Sequence, residues 1–173
     1  IPFIRREVPE VDRVSEEYER TVKVSFEKKT VGLDLAGANA EWGVMRNMIA
    51  EEGGRFFNQR DLDERRRVTF LGDQLERDLF GASGVGVGKT VKIDGTPFQV
   101  VGVLRTKSQD SSYGGRDKDK AIIPSTTFKA IYGPERIDNL IFQVLDPQKV
   151  VAVKKKVLAA VAQRHRFDPT DEE

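Results

Sequence analysis

The alternation of apolar and polar positions is clearest over residues 67–104. This region predicts a buried strand, a short helix, a glycine-rich loop and two strands joined by a tight turn. The apolar run that begins at Val68 suits a buried strand, which Gly72 ends. Leu75 and Leu79 lie four residues apart, so they occupy one face of the predicted helix.

Polar residues and glycines at the ends of apolar runs predict where helices begin and end. Asp73 is expected to cap the first of these helices, and Gly81 to follow its last turn in a left-handed conformation. A later helix is expected to be capped by Ser125 or Thr126. The longest helix is expected to begin at Asp146-Pro147, with aspartate as the cap and proline in the first turn.

The dipeptide Asp94-Gly95 predicts a two-residue hairpin turn. It separates two alternating runs, Thr90–Ile93 and Thr96–Leu104. Pro97 has no N–H group to donate, so the second strand is expected to lie near an edge at its start.

The rest of the chain gives shorter signals. The predicted elements are a helix over Ile1–Val8, strands at Thr21–Phe26 and Thr30–Leu35, a turn at Ala36–Asn39, a loose helical segment around Trp42, and strands at Ala121–Ile123 and Asn139–Leu145. Trp42 has two interpretations, an anchor for a partner or a core or lid residue, and the second is favoured.

Composition excludes several classes. The 173 residues include 29 basic and 28 acidic side chains, so no global field favours nucleic acid or a lipid surface. The absence of cysteine excludes disulfides and thiolate sites within this chain. No apolar run approaches the ~20 residues of a membrane helix, and no signal peptide pattern is visible, so the sequence predicts a soluble piece.

Gly88-Lys89-Thr90 resembles the end of a phosphate-binding loop, but its context does not fit. The motif requires a glycine five positions before Gly88, where this chain has Ser83, and a helix after the threonine. A strand is predicted there instead. We therefore interpret the glycines as a flexible surface turn rather than a nucleotide site.

Catalytic and metal-binding patterns are also missing from the sequence. His165 is the single histidine, and no zinc, calcium-loop or nucleophile motif appears. The basic triplets Arg65–Arg67 and Lys154–Lys156 have no interleaved aromatics. The sequence therefore predicts neither an enzyme, nor a metal or cofactor site, nor a nucleic-acid partner.

Six short motifs, taken in order, resemble the periplasmic core domain of MacB-type and FtsX-like ABC transporter permeases. They are Gly54-Arg55-Phe56-Phe57 with downstream Asp61, Arg67–Gly72, Leu79-Phe80-Gly81, Val87–Ile93, Phe98–Leu104 and Ala121–Pro124. Each motif is weak by itself, whereas the ordered set covers nearly the whole chain. The resemblance implies a structural role for the glycine-lysine turn.

The resemblance also implies an α+β fold with two lobes. A porter-like α/β lobe would combine residues 1–20 with residues 136–173. A mainly β lobe, residues 21–135, would be inserted between them. In such a permease, the domain lies between the first and second transmembrane helices, on the periplasmic side of the inner membrane.

From this resemblance, we expect the domain to couple movement of the transmembrane helices to a periplasmic adaptor, a lipoprotein or the exported substrate. ATP would be bound by a cytoplasmic ATPase, and the full transporter is compatible with a homodimer. Two exposed loops are the candidate contacts. Their residues are Ser83, Gly84, Val85, Gly86 and Val87 in the first loop, and Ser111, Ser112 and Tyr113 in the second. The alternatives are a free-standing extracytoplasmic binding module and a nucleotide-binding enzyme.

Overall fold

The computed structural model describes residues 2–105, 117–133 and 136–165, and it describes His165 by its backbone alone. Within these ranges the chain forms seven strands and six helices. In chain order they are α1 Pro2–Glu7, β1 Val11–Phe26, β2 Lys29–Ala38, α2 Ala40–Met45, α3 Gln59–Asp63, β3 Val68–Leu71, α4 Asp73–Phe80, β4 Thr90–Ile93, β5 Thr96–Val103, β6 Ala121–Pro124, α5 Ser125–Tyr132, β7 Asn139–Val144 and α6 Val150–His165. None of the helices in these ranges is long and apolar enough to cross a membrane.

The strands form one mixed sheet in the order β2-β6-β3-β5-β4-β1-β7. Strand β1 also pairs with β2, so six of the strands close into a barrel-like ring, which β7 extends from outside. The β2–β6 and β3–β5 pairs are parallel, and the other pairs are antiparallel. The mixed α/β character agrees with the predicted fold class, whereas the division into two lobes is not confirmed.

Strand β1 is longer than the predicted Thr21–Phe26. It runs for 16 residues. Its first part, Val11–Glu17, pairs with β7, and its second part, Glu17–Phe26, pairs with β2. One continuous strand therefore passes through the predicted lobe boundary at residues 20 and 21. The division into residues 1–20 with 136–173 and residues 21–135 stays a prediction.

Strands β3 and β6 are buried on both faces, which explains their continuous apolar sequences. Leu71 packs into one apolar cluster with α4 and α5, while its neighbour Phe70 packs into a second cluster around Trp42. Trp42 is fully buried, so its interpretation as a core residue is confirmed. A third cluster joins α1, α6, β7 and the start of β1.

The predicted turn at Ala36–Asn39 is wrong. Strand β2 continues to Ala38, because its small residues pair with β6 while Gly37 lies against Phe128. A Cβ atom on Gly37 would lie 2.7 Å from the Phe128 side chain, so only glycine fits. Small residues that resemble a turn in the sequence here allow close packing of a strand.

Two predicted helix caps are also wrong. Gly72, rather than Asp73, is the N-cap of α4, and the Asp73 carboxylate accepts a hydrogen bond from Arg77 instead. Pro124 is the N-cap of α5, because the hydroxyls of Ser125 and Thr126 donate to Glu16 and to the Leu62 carbonyl. In both cases the polar side chain that the local sequence predicted as a cap forms a hydrogen bond with another side chain or with a distant carbonyl instead.

Three further predicted signals are confirmed. Asp94 and Gly95 have φ values of 46° and 82° in the turn between β4 and β5. At Pro97, β5 has a paired neighbour on one side, since its pairing with β3 begins at Gln99. Asp146 caps a short 3₁₀ turn that begins at Pro147 and leads into α6.

Candidate partner-binding site

The structure describes one of the two predicted contact loops. Ser83, Gly84, Val85, Gly86 and Val87 lie between α4 and β4. Ser111, Ser112 and Tyr113 lie outside the described residues. The role of these three residues as a partner contact therefore stays a prediction.

The glycine loop is held closely against the end of α4. The Gly86 N–H donates a 2.7 Å hydrogen bond to Glu76 Oε1. A Cβ atom on Gly84 would lie 2.2 Å from the Phe80 carbonyl oxygen, and one on Gly86 would lie 2.9 Å from the Phe80 ring. The loop is therefore a surface turn, as predicted, but one held by contacts to α4 rather than the flexible turn that its glycines indicated. The exposed fraction of Val85 is 68%.

Glu76 is the buried anchor of this loop, and sequence reasoning missed it. Burial raises the pKa of its carboxyl, and the negative charges of Glu51 and Asp73 act in the same direction. The Gly86 N–H and the Arg77 guanidinium oppose that change. The signal in the sequence was weak, because Glu76 lies next to Leu75 on a short helix that also carries exposed charges.

Replacing Glu76 with glutamine is expected to make the protein more stable at neutral pH and less sensitive to pH. A raised pKa means that the folded state keeps a proton that the unfolded state releases, so the contribution of Glu76 to stability falls as pH rises through that pKa. The stability difference between Glu76→Gln and wild type should therefore grow with pH. Glutamine keeps an acceptor for the Gly86 N–H but has no charge to bury. Urea unfolding between about pH 4 and pH 7 measures the effect.

The exposed Asp78, on the same helix, provides the matched control. Asp78→Asn should follow the wild-type profile. If the stability difference between Asp78→Asn and wild type grew with pH as much as that of Glu76→Gln, or if the difference for Glu76→Gln did not grow with pH, the role of Glu76 would be contradicted.

Lys89 has a structural setting unlike that of a phosphate-binding loop. Gly88 occupies a left-handed turn with φ 84°, and its N–H donates to the Val100 carbonyl. Thr90 then begins strand β4. The local order is helix, loop and strand, so no helix N-terminus follows Lys89 to receive a phosphate.

A buried polar network on β1 was also missed by sequence reasoning. The Glu17 carboxylate, which is 5% exposed, accepts hydrogen bonds from Trp42 Nε1 on α2 and from Asn139 Nδ2 on β7. Two residues further along, Glu19 Oε1 accepts a 2.8 Å hydrogen bond from the buried Lys120. The network ties the outer strand β7 to the barrel through side chains as well as through backbone pairing.

A neighbouring pair of contacts extends this network to α5. Ser125 Oγ donates a 3.0 Å hydrogen bond to Glu16 Oε1, and Lys129 Nζ lies 3.8 Å from the same oxygen. The possible signal was a run of glutamates inside an otherwise alternating strand. Among the described residues, no group of three or more His, Asp or Glu side chains is arranged to hold a metal ion.

Comparison with known proteins identifies a family. The model of the MacB-like periplasmic core domain matches residues 1–160. The chain is 25% identical over 154 residues to the macrolide export ATP-binding/permease protein MacB of Chlorobium phaeobacteroides, covering 88% of this chain and 23% of that protein. It is 30% identical over 134 residues to the pyoverdine export ATP-binding/permease protein PvdT of Pseudomonas aeruginosa, covering 76% of this chain and 20% of that protein. The chain thus spans between a fifth and a quarter of the length of these relatives.

Solved structures show the same fold. The extracellular domain of the noncanonic ABC-type transporter YknZ from Gram-positive bacteria superposes with a TM-score of 0.81 at 18% identity, covering 97% of this chain and 83% of that chain. The periplasmic region of MacB from Actinobacillus actinomycetemcomitans gives a TM-score of 0.77 at 18% identity, covering 90% of this chain and 68% of that chain.

Proposed function

The chain belongs to the family of MacB-like periplasmic core domains, and from this premise we propose that it couples transmembrane-helix movement to a partner outside the membrane. It is an extracytoplasmic domain of an ABC transporter permease of the MacB type. The proposed partner is a periplasmic adaptor, a lipoprotein or the exported substrate. ATP bound by a cytoplasmic ATPase would supply the energy, the full transporter would be a homodimer, and we assign no cofactor to this domain.

One observation supports the coupling role above the others. The first and last described segments lie side by side, with the Arg164 guanidinium 4.6 Å from the centre of the Phe3 ring. Ile4 on α1 and Val157 on α6 share one apolar cluster with β7 and the start of β1. Strand β1 continues unbroken into the barrel. A displacement of α1 and α6 would therefore be transmitted to the barrel through close-packed side chains and this strand.

The fixed glycine loop is the proposed contact. Val85 is an exposed apolar side chain on a backbone that Glu76 and Phe80 hold in place. A rigid loop loses little conformational freedom on binding, which favours affinity. Residues 111–113 are the second proposed contact.

Photo-crosslinking in the full-length permease tests this contact. Benzoylphenylalanine at Val85 should give an adduct with one partner, either an extracytoplasmic protein or the exported substrate, that mass spectrometry identifies. The same probe at Leu145, which directly follows β7 and has an equal exposed fraction of 68%, is the matched control. Equal adducts at both positions, or none at Val85 during active export, would contradict the assignment of the loop.

A further inference from the structure

A groove between α2 and the start of α3 is lined by other residues than the glycine loop, and Trp42, which stacks on its Phe56, also donates to Glu17. It has a volume of about 410 Å³. Small-molecule sites in proteins commonly occupy roughly 300–1,000 Å³, so the groove has room for a compact organic ligand. Its position is not explained by the coupling role.

The floor of the groove is built before any ligand arrives. The Phe56 ring lies directly on Gly43, where a Cβ atom would come within 2.4 Å of the ring. It also stacks on Phe57 at a centroid distance of 4.2 Å and on Trp42 at 6.3 Å. These contacts hold the ring in one orientation, so a ligand meets a preformed aromatic surface.

Two exposed aliphatic side chains stand at the opening. Val44 and Ile49 are 60% and 45% exposed, respectively. The turn between them is fixed by Asn47, whose φ of 52° is rare for a residue other than glycine. Its N–H donates to the Val44 carbonyl, and the Ile49 N–H donates to the Asn47 carbonyl. Apolar surface is therefore held exposed to solvent by a hydrogen-bonded turn.

The polar groups of the groove are all uncharged. Its lining contains three side-chain amides, Asn47, Asn58 and Gln59, and no ionisable residue. Asn58 Oδ1 accepts from the Asp61 N–H and Gln59 Nε2 donates to Asp63, so each of these amides keeps its other polar atom without a partner among the described residues. Those atoms can exchange hydrogen bonds with hydroxyl or carbonyl groups.

These features define the class of ligand. An ion entering the groove would lose part of its hydration shell without meeting an opposite charge, which is unfavourable. An uncharged molecule with one apolar face and a few hydroxyl or carbonyl groups meets both the aromatic floor and the amides. We propose that the groove between α2 and α3 is a binding site for an uncharged, amphiphilic small molecule.

Trp42 provides a direct readout, because it is the single tryptophan of the chain and stacks on the groove floor. Titration with the uncharged probe N-phenyl-1-naphthylamine should show saturable binding to one site, with energy transfer from Trp42. The anionic analogue 8-anilinonaphthalene-1-sulfonate has a similar ring system with a sulfonate group. It should bind about tenfold more weakly, because the groove offers no counter-charge.

Variants of the exposed rim locate the site. Val44→Asn and Ile49→Asn should each weaken binding of the uncharged probe by about tenfold, since each removes apolar contact from the opening. Val151→Asn, at a 68% exposed position on α6, is the matched control and should leave binding unchanged. Both rim residues are exposed, and far-UV circular dichroism confirms that each variant is folded.

The proposal is overturned if the uncharged probe does not saturate, if the sulfonate binds as tightly, or if the rim variants bind like the control. The first result, no saturation by the uncharged probe, is also the result expected if the groove accepts only a side chain of a partner protein. Since the groove and the Val85 loop are tested by different probes and variants, failure here leaves the proposed coupling role untouched.

Discussion

Gly102→Ala is expected to lower the free energy of unfolding by roughly 3 kcal/mol, at the upper end of the range for overpacked sites. A Cβ atom on Gly102 would lie 2.3 Å from the carbonyl oxygen of Arg55. The obstacle is backbone, which cannot rotate away as a side chain can. Strand β5 and the segment before α3 would have to separate.

The two segments are joined at this point by backbone hydrogen bonds. The Arg55 N–H donates to the Val101 carbonyl, and the Glu51 N–H donates to the Val103 carbonyl. Gly54 faces Gly102 so closely that a Cβ atom on Gly54 would lie 2.9 Å from the Gly102 Cα. Separating the segments would therefore break hydrogen bonds as well as packing.

Gly32→Ala is the matched control for Gly102→Ala. Gly32 also lies within a strand, and a Cβ atom there would meet nothing within 4 Å. Alanine at this position should be neutral or slightly stabilising, because it restricts the unfolded chain. Urea unfolding of both variants measures the difference. Equal stabilities for the two variants would show that the contact at Gly102 relaxes without cost.

Asp61→Ala is expected to lower the free energy of unfolding by about 3 kcal/mol, because several charge-assisted hydrogen bonds are lost together. The Asp61 side chain is 1% exposed and accepts two hydrogen bonds from Arg55, at 2.7 and 3.2 Å. It also accepts from the Asn58 N–H and so completes a capping box at the start of α3.

The effect of Asp61→Ala should depend on pH. Burial by itself raises the pKa of the Asp61 carboxyl, but the hydrogen bonds from Arg55 and Asn58 and the nearby positive charges outweigh it, so the pKa lies below its usual value. This contribution to stability is present above the unfolded pKa of about 4 and is lost as pH falls through the folded pKa. The difference between wild type and variant should therefore shrink in acid.

Asp63→Ala is the matched control for Asp61→Ala, since Asp63 is exposed and accepts from Gln59 alone among the described side chains. Its loss should change the free energy of unfolding by about 0.5 kcal/mol or less. Guanidinium unfolding at several pH values compares the two variants. If Asp61→Ala were no more destabilising than Asp63→Ala, the buried carboxylate would not be the element that holds this segment.

Local signals in the sequence predicted the parts of the fold that local chemistry decides. Asp94-Gly95 specified the hairpin because few other residues adopt two consecutive positive φ values. Leu75 and Leu79 specified the buried face of α4, since both are 1% exposed. The ordered motifs around Asp61 and Gly102 indicated the family. In the structure both residues contact Arg55, whose segment is hydrogen-bonded to strand β5.

Features that depend on distant partners could not be predicted. Glu17 is bonded to Trp42 and Asn139, which are 25 and 122 residues away, and nothing near Glu17 identifies either one. Ser125 resembles a helix cap in the sequence, but its hydroxyl donates to Glu16, which is 109 residues away. The groove on α2 was missed for a similar reason, because its floor combines Gly43 with Phe56 from beyond the next turn.

The most direct test of the coupling role is a pair of distance measurements in the full-length permease. This domain contains no cysteine, so spin labels can be placed at Val85 and Val151, which are both 68% exposed. We expect the distance between these two labels to change by less than about 2 Å between the nucleotide-free and ATP-bound states. The distance from Val85 to a label on a transmembrane helix should change by more than that. Two results would contradict transmission of movement through a packed domain. One is a Val85–Val151 distance that changes as much as the distance from Val85 to the transmembrane helix, and the other is a distance from Val85 to the transmembrane helix that does not change.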